Sequence, residues 1–157
     1  MEKLILPEKA DKETLYEALL PQLRSFTARE SSVIANMANL SAALHEAFGF
    51  FWTGFYLRVN DKVLVLGPFQ GPPACTRLTY GRGVCGTAWK EERTVIVPDV
   101  EKFPGHVACS SLSKSEIVVP IFRKGKVFAV LDIDSAAPAT FDEIDARYLE
   151  EAVKLLV

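Results

Sequence analysis

The sequence predicts an α+β domain in which a mainly antiparallel sheet carries the N- and C-terminal helices on one face. Two observations predict it: apolar residues at helical spacing stand at both ends of the chain, and two hairpin patterns lie between them. With 157 residues and no internal repeat, low-complexity stretch or linker, the chain reads as a single domain over 1–157.

The first helix is expected over 11–26, where Leu15, Leu19 and Leu23 recur four apart, with a kink at Pro21. Ser31 or Ser32 caps a second, whose stripe runs through Val33, Met37, Leu40, Leu44 and Phe48 and stops at Gly49. Aromatic and β-branched residues then dominate 51–59, Asn60 and Asp61 make a turn, and 62–66 resumes the strand pattern. Pro68, Gly71, Pro72 and Pro73 predict a loop leading to Cys75. A short helix over 84–92 and a strand over 94–97 follow, and 98–113 is the longest stretch without periodicity, a length at which loops are often functional. The second hairpin joins 115–122 to 126–134 through Lys124 and Gly125, with Val127, Ala129, Leu131 and Ile133 sharing one face. Thr140 and Glu143 have the spacing of a capping box for the last helix.

Composition excludes several classes of function. Eighteen basic residues against 20 acidic ones give a net charge of −2, and no basic cluster is placed to neutralise successive phosphates, so nucleic acid is not an expected partner. The N-terminal apolar piece is broken by Pro7 and followed by charges, unlike a secretory leader. No apolar run approaches the roughly 20 residues that span a bilayer, so a cytoplasmic protein without membrane contact is expected. An odd number of cysteines, Cys75, Cys85 and Cys109, fits a reducing compartment better than a disulfide framework.

Those cysteines lie in loop or helix-start context, outside the apolar stripes. Cys85 sits among glycines with Arg82 nearby, and His106 precedes Cys109 by three residues; a neighbouring cation raises the reactive thiolate fraction. A buried cysteine that acts only as a small hydrophobe is the competing reading for each. Cys75, Cys85, His106 and Cys109 are also soft metal ligands, but their spacing matches none of the usual structural zinc patterns, and no metal or cofactor is expected. Gly81, Gly83 and Gly86 imitate a dinucleotide fingerprint without the strand and the later acid that it needs. Asp132 and Asp134, two apart in a strand, share the face opposite Leu131 and Ile133, and Glu116 opens the neighbouring strand. On a solvated face these acids would only meet water, whereas in a closed pocket burial and like charge would keep a proton on one of them near neutral pH.

Six strings, WTGFY (52–56), GPFQGPPAC (67–75), GRGVCGT (81–87), FPGHVAC (103–109), SEIVVP (115–120) and VLDIDS (130–135), resemble the free methionine-(R)-sulfoxide reductases, a family built on the GAF fold. The resemblance covers roughly residues 50–145, and the motifs are more specific than the fold, because GAF domains bind many ligands or none. It implies reduction of the R-epimer of free methionine sulfoxide, with thioredoxin as reductant and a homodimeric assembly. It makes Cys109 the attacking cysteine, Cys75 the resolving one and Cys85 a second recycling thiol. It also places Glu116, Asp132 and Asp134 as substrate-binding and proton-supplying acids, with Trp52 and Tyr56 as an aromatic wall. The chemistry is consistent with these roles: a sulfoxide becomes a good electrophile when its oxygen is protonated, so the site needs a thiolate on one side and a carboxylic acid on the other. A non-catalytic GAF module that binds a small molecule or senses redox state is the alternative.

Overall fold

Six strands pair into one fully antiparallel sheet in the computed structural model, which describes residues 3–157; residues 1 and 2, the start of the segment that lacks a leader pattern, lie outside them. The strands are β1 (Trp52–Arg58), β2 (Val63–Gln70), β3 (Arg77–Thr79), β4 (Val95–Val97), β5 (Ser115–Arg123) and β6 (Lys126–Ser135), in the order β3-β2-β1-β6-β5-β4. Each predicted hairpin forms, and the long connections bring β1 against β6 so that the two hairpins become one sheet.

Helices α1 (Lys12–Thr27), α2 (Val33–Phe48) and α4 (Glu143–Val153) cover one face of this sheet. Their stripes supply Leu19, Leu23, Met37, Leu40, Leu44 and Leu149 to a core shared with Phe55, Ile117 and Leu131 from the strands. Each such side chain contributes about 1.5–3 kcal/mol on burial. Ser32 caps α2 by accepting from the Ala35 N–H, and Gly49 ends it in a left-handed conformation, as the sequence predicts. The buried Asp145 carboxylate ties the two terminal helices together: it accepts from the Tyr16 hydroxyl at 2.8 Å and from the Lys12 ammonium.

Helix α1 runs through Pro21 to Thr27, close to the predicted range. Three local expectations are corrected. The capping box of α4 is made by Asp142 and Asp145, not by Thr140 and Glu143, because the Asp142 carboxylate accepts from the Asp145 N–H while Asp145 accepts from the Asp142 N–H. Strand β2 continues to Gln70 instead of giving way to a loop at Pro68. A register shift opposite Gly54 and Tyr56 places two residues, Gly67 and Pro68, against one, and β3 pairs only with 63–65, so the missing Pro68 N–H breaks no ladder bond on that side. Finally, Val127 does not share a face with Ala129, Leu131 and Ile133. Phe128 is the extra residue of a bulge opposite Ile121 and Phe122, and it turns Val127 to the opposite side of the sheet.

That opposite side is covered by α3 (Gly83–Glu91) and by the connections around 71–76 and 98–114. Its smaller apolar cluster includes Tyr56, Val84, Cys85, Trp89, Val118 and Val130. Gly86 lets α3 settle onto β3, since a Cβ there would stand 2.3 Å from the Thr79 carbonyl oxygen. Among the described residues no helix is long and apolar enough to cross a membrane.

Candidate active site

The two-residue period of a strand decides which side chains face the site. Trp52 and Tyr56 of β1, Glu116 of β5, and Asp132 and Asp134 of β6 all point to the α3 side, while the residues between them enter the helix-side core. Register aligns them across strands: Asp134 lies between Trp52 and Glu116, and Asp132 lies between Gly54 and Val118. The missing side chain at Gly54 is filled by the Trp52 ring, whose Cη2 would be 2.5 Å from a Cβ at that position. Trp52 also stacks on Phe69 and Tyr56, with ring centroids 5.3 Å and 5.9 Å away.

The aromatic pair grips the connection between β2 and β3. The Trp52 indole N–H donates to the Pro72 carbonyl at 3.0 Å, and the Tyr56 hydroxyl donates to the Cys75 carbonyl at 2.9 Å. Cys75 forms a disulfide with Cys109, 34 residues later, with a Cα–Cα distance of 5.6 Å. Cys109 is carried by the stretch read as an aperiodic loop, which holds one 3₁₀ turn at Val100–Lys102 and is tied to the sheet where the Val100 N–H donates to the Lys114 carbonyl. Cys109 is exposed and Cys75 half-buried.

Seven of the eight predicted site residues line one cavity: Trp52, Tyr56, Cys85, Cys109, Glu116, Asp132 and Asp134. The eighth, Cys75, reaches it through its bond to Cys109. His106 and Arg82 line the same cavity and are its cationic or potentially cationic groups. In this disulfide-linked form the cavity has a volume of about 60 Å³.

Cys85 stands at the start of α3, as the sequence predicts, but it is 4% exposed within the apolar cluster, and it is the cysteine outside the disulfide. Burial and the nearby carboxylates Asp132 and Glu116 push its thiol well above the ordinary range, so it is held neutral. Arg82 is the N-cap residue of α3 and is not among the groups that shift the Cys85 thiol.

The acids are far from ordinary surface carboxylates. Glu116 and Asp132 are 7% and 6% exposed. Burial first, then the charges of neighbouring acids, raise both well above the usual carboxylate range. Asp134 is raised less, to about 6, because the Ser113 hydroxyl donates to it and offsets part of the cost of burial. The site therefore combines one acid that ionises near pH 6 with an acid pair that retains a proton. Asp132 Oδ1 is buried and has no hydrogen-bond partner among the described residues, an arrangement that costs stability. Sequence reasoning missed Ser113. It sits at the end of the aperiodic stretch, and only the fold brings it to Asp134.

A model of the GAF domain family matches residues 32–156. GAF domain-containing protein A of Dictyostelium discoideum is 60% identical, with 94% of each chain covered. The free methionine-R-sulfoxide reductase of Escherichia coli is 43% identical over 93% of this chain and 88% of that one. The crystal structure of free methionine-R-sulfoxide reductase from Neisseria meningitidis in complex with its substrate superposes with a TM-score of 0.96 at 54% identity, covering 99% of this chain and 93% of that one. The chain belongs to the free methionine-R-sulfoxide reductase family, whose frame is the GAF domain.

Proposed function

We propose that the protein is an oxidoreductase that reduces free methionine-(R)-sulfoxide to methionine, with Cys109 as nucleophile. The observation that carries this reading is that Cys109 opens onto the cavity whose floor is Glu116, Asp132 and Asp134. A thiol therefore faces carboxylic acids that keep a proton at neutral pH. In the first step the Glu116 and Asp132 pair protonates the sulfoxide oxygen while the Cys109 thiolate attacks sulfur. Oxygen ends on Cys109 as a sulfenic acid, and methionine leaves with its sulfur reduced by two electrons. The Cys75 thiol then displaces water from that sulfenic acid to form the Cys75–Cys109 disulfide, and the dithiol of thioredoxin reduces the disulfide.

Several features support the assignment. The 5.6 Å Cα–Cα distance puts the Cys75 sulfur within bonding reach of Cys109, and the exposure of Cys109 gives a reductant access. Asp134, ionised above about pH 6, suits the substrate ammonium, and Trp52 and Tyr56 offer an apolar wall for the S-methyl group. Cys85, buried and neutral, is a poor attacking group in this conformation, so its recycling role would apply only after local opening. A cycle that needs a thioredoxin-type reductant belongs in a reducing compartment such as the cytoplasm. We read 1–157 as one working domain, since α1, outside the matched GAF segment, packs on α4 through Tyr16 and Asp145.

The test is a quench of reduced protein with excess free methionine-(R)-sulfoxide and no reductant. One methionine per chain, together with loss of two thiols, is expected. No methionine from the R-epimer, or equal yields from R and S, would overturn the reading.

A further inference from the structure

Deep in the cavity, below the disulfide, a second grouping stands apart from the proposed redox pair. The Sγ of Cys85 and one carboxylate oxygen from each of Glu116 and Asp132 all lie within 4.8 Å of one another, and all three residues are buried. They come from three different elements, α3, β5 and β6, so the tertiary packing of α3 on the sheet creates the cluster. A second observation points to a ligand there: Asp132, 6% exposed, has an Oδ1 that accepts no hydrogen bond from any of the described residues.

We propose that Cys85, Glu116 and Asp132 form a binding site for a borderline-soft divalent cation of the zinc type. With the protons of the Cys85 thiol and of the acid pair released to solvent as the cation binds, the donor set is one thiolate and two carboxylates, and three protein ligands plus a solvent position is the arrangement zinc adopts at open sites. Spacing along the chain conceals it, because the zinc patterns legible in sequence are short local repeats whereas these ligands are 31 and 16 residues apart. The sulfur ligand selects against magnesium and calcium, which prefer all-oxygen shells. The enclosed space of about 60 Å³ admits a cation with one or two waters. A cation there would sit among the groups assigned above to the sulfoxide and would compete with it, so the inference concerns inhibition of this protein by metal. Its binding arm is read on the metal alone and does not depend on the reductase reading.

The disulfide-linked protein is the form to test, because Cys75 and Cys109 are then tied up and Cys85 is the remaining thiol. Equilibrium dialysis against zinc chloride, with a chromophoric indicator as competitor, should retain one zinc per chain. The Cys85→Ser and Asp132→Asn proteins should each bind at least roughly 10-fold more weakly, since even outer-shell changes cost about 10- to 100-fold. A large excess of magnesium should not displace the zinc. Near-ultraviolet circular dichroism identifies any variant that fails to fold, and the other variant then decides. The proposal is overturned if the disulfide-linked protein retains no zinc, or if a folded variant binds it as tightly as the unsubstituted chain.

Discussion

The Tyr56 hydroxyl donates to the backbone carbonyl of Cys75 across 2.9 Å, so a residue in the middle of β1 holds the segment that carries one half of the disulfide. The bond is part-buried, and burial together with the surrounding acids keeps the phenol protonated, so it acts as a donor at every working pH. Trp52 does the same for Pro72, and the two rings hold the β2–β3 connection against the sheet.

Tyr56→Phe keeps the ring and removes this bond. Stability should fall by about 1 kcal/mol. With Cys75 less well held, disulfide formation after the first chemical step should slow by roughly 10-fold, because small displacements of a reacting group are costly. Trapping with a sulfenic-acid reagent should show more sulfenic acid per methionine formed than in the unsubstituted protein. An unchanged ratio would mean that the Cys75 segment is positioned without Tyr56.

Cys109→Ser should abolish methionine formation even in a single turnover. Cys75→Ser should still yield one methionine per chain and accumulate sulfenic acid, while thioredoxin-supported turnover falls steeply. Counting methionine per chain after a quench without reductant separates the two. A full equivalent from Cys109→Ser would assign the nucleophile to another cysteine.

Substrates whose amine is blocked should be rejected. Asp134 at the cavity has a hydroxyl partner in Ser113 but no cationic one among the described residues, and N-acetylation of the substrate removes the ammonium that would pair with it. An unpaired buried polar group costs about 1–3 kcal/mol, so kcat/KM for N-acetylmethionine sulfoxide should fall by roughly 10- to 100-fold. Equal activity on both compounds would contradict the ammonium-binding role.

The pH dependence should have two limbs. Below about pH 6 Asp134 becomes protonated and loses its charge, so KM should rise as pH falls. At alkaline pH the Glu116 and Asp132 pair loses its proton, and single-turnover methionine formation should fall. With thiolate formation at Cys109 measured separately, a rate that keeps climbing to about pH 9 would exclude a carboxylic acid as donor.

Stability gives an independent view of the same acids. Asp132 is raised in the folded state above its ordinary 3.8, chiefly by burial, so the folded protein holds a proton that the unfolded chain releases. Stability from this group is present below that ordinary value and is lost as pH rises toward the folded-state value. The slope is at most about 1.4 kcal/mol per pH unit for one proton. Asp132→Asn removes the titration, so its stability relative to the unsubstituted protein should improve steadily from about pH 5 to pH 7 in urea melts. A pH-independent difference would show that Asp132 is ionised throughout.

Much of the fold is legible because it rests on local periodicity. The stripe from Val33 to Phe48 with Ser32 and Gly49 at its ends, and the alternation around Lys124 and Gly125, need no knowledge of distant residues. Three-residue β3 carries too little pattern to be read, and the bulge at Phe128 is a property of two strands paired.

By itself the sequence determined the helices and both hairpins, the shared face of Asp132 and Asp134, and the motifs that mark the family, because side-chain direction in a strand and family signatures are local properties. Only the tertiary structure decided which residues meet. Cys109 bonds to Cys75 because the β2–β3 connection is held over the sheet, Ser113 reaches Asp134 because the long connection ends beside β6, and Cys85 turns inward because α3 packs on the sheet beside Glu116 and Asp132. The same packing shifts the acids: exclusion of water and mutual repulsion keep protons on Glu116 and Asp132, and those forces arise only when β5 and β6 lie side by side beneath a cover.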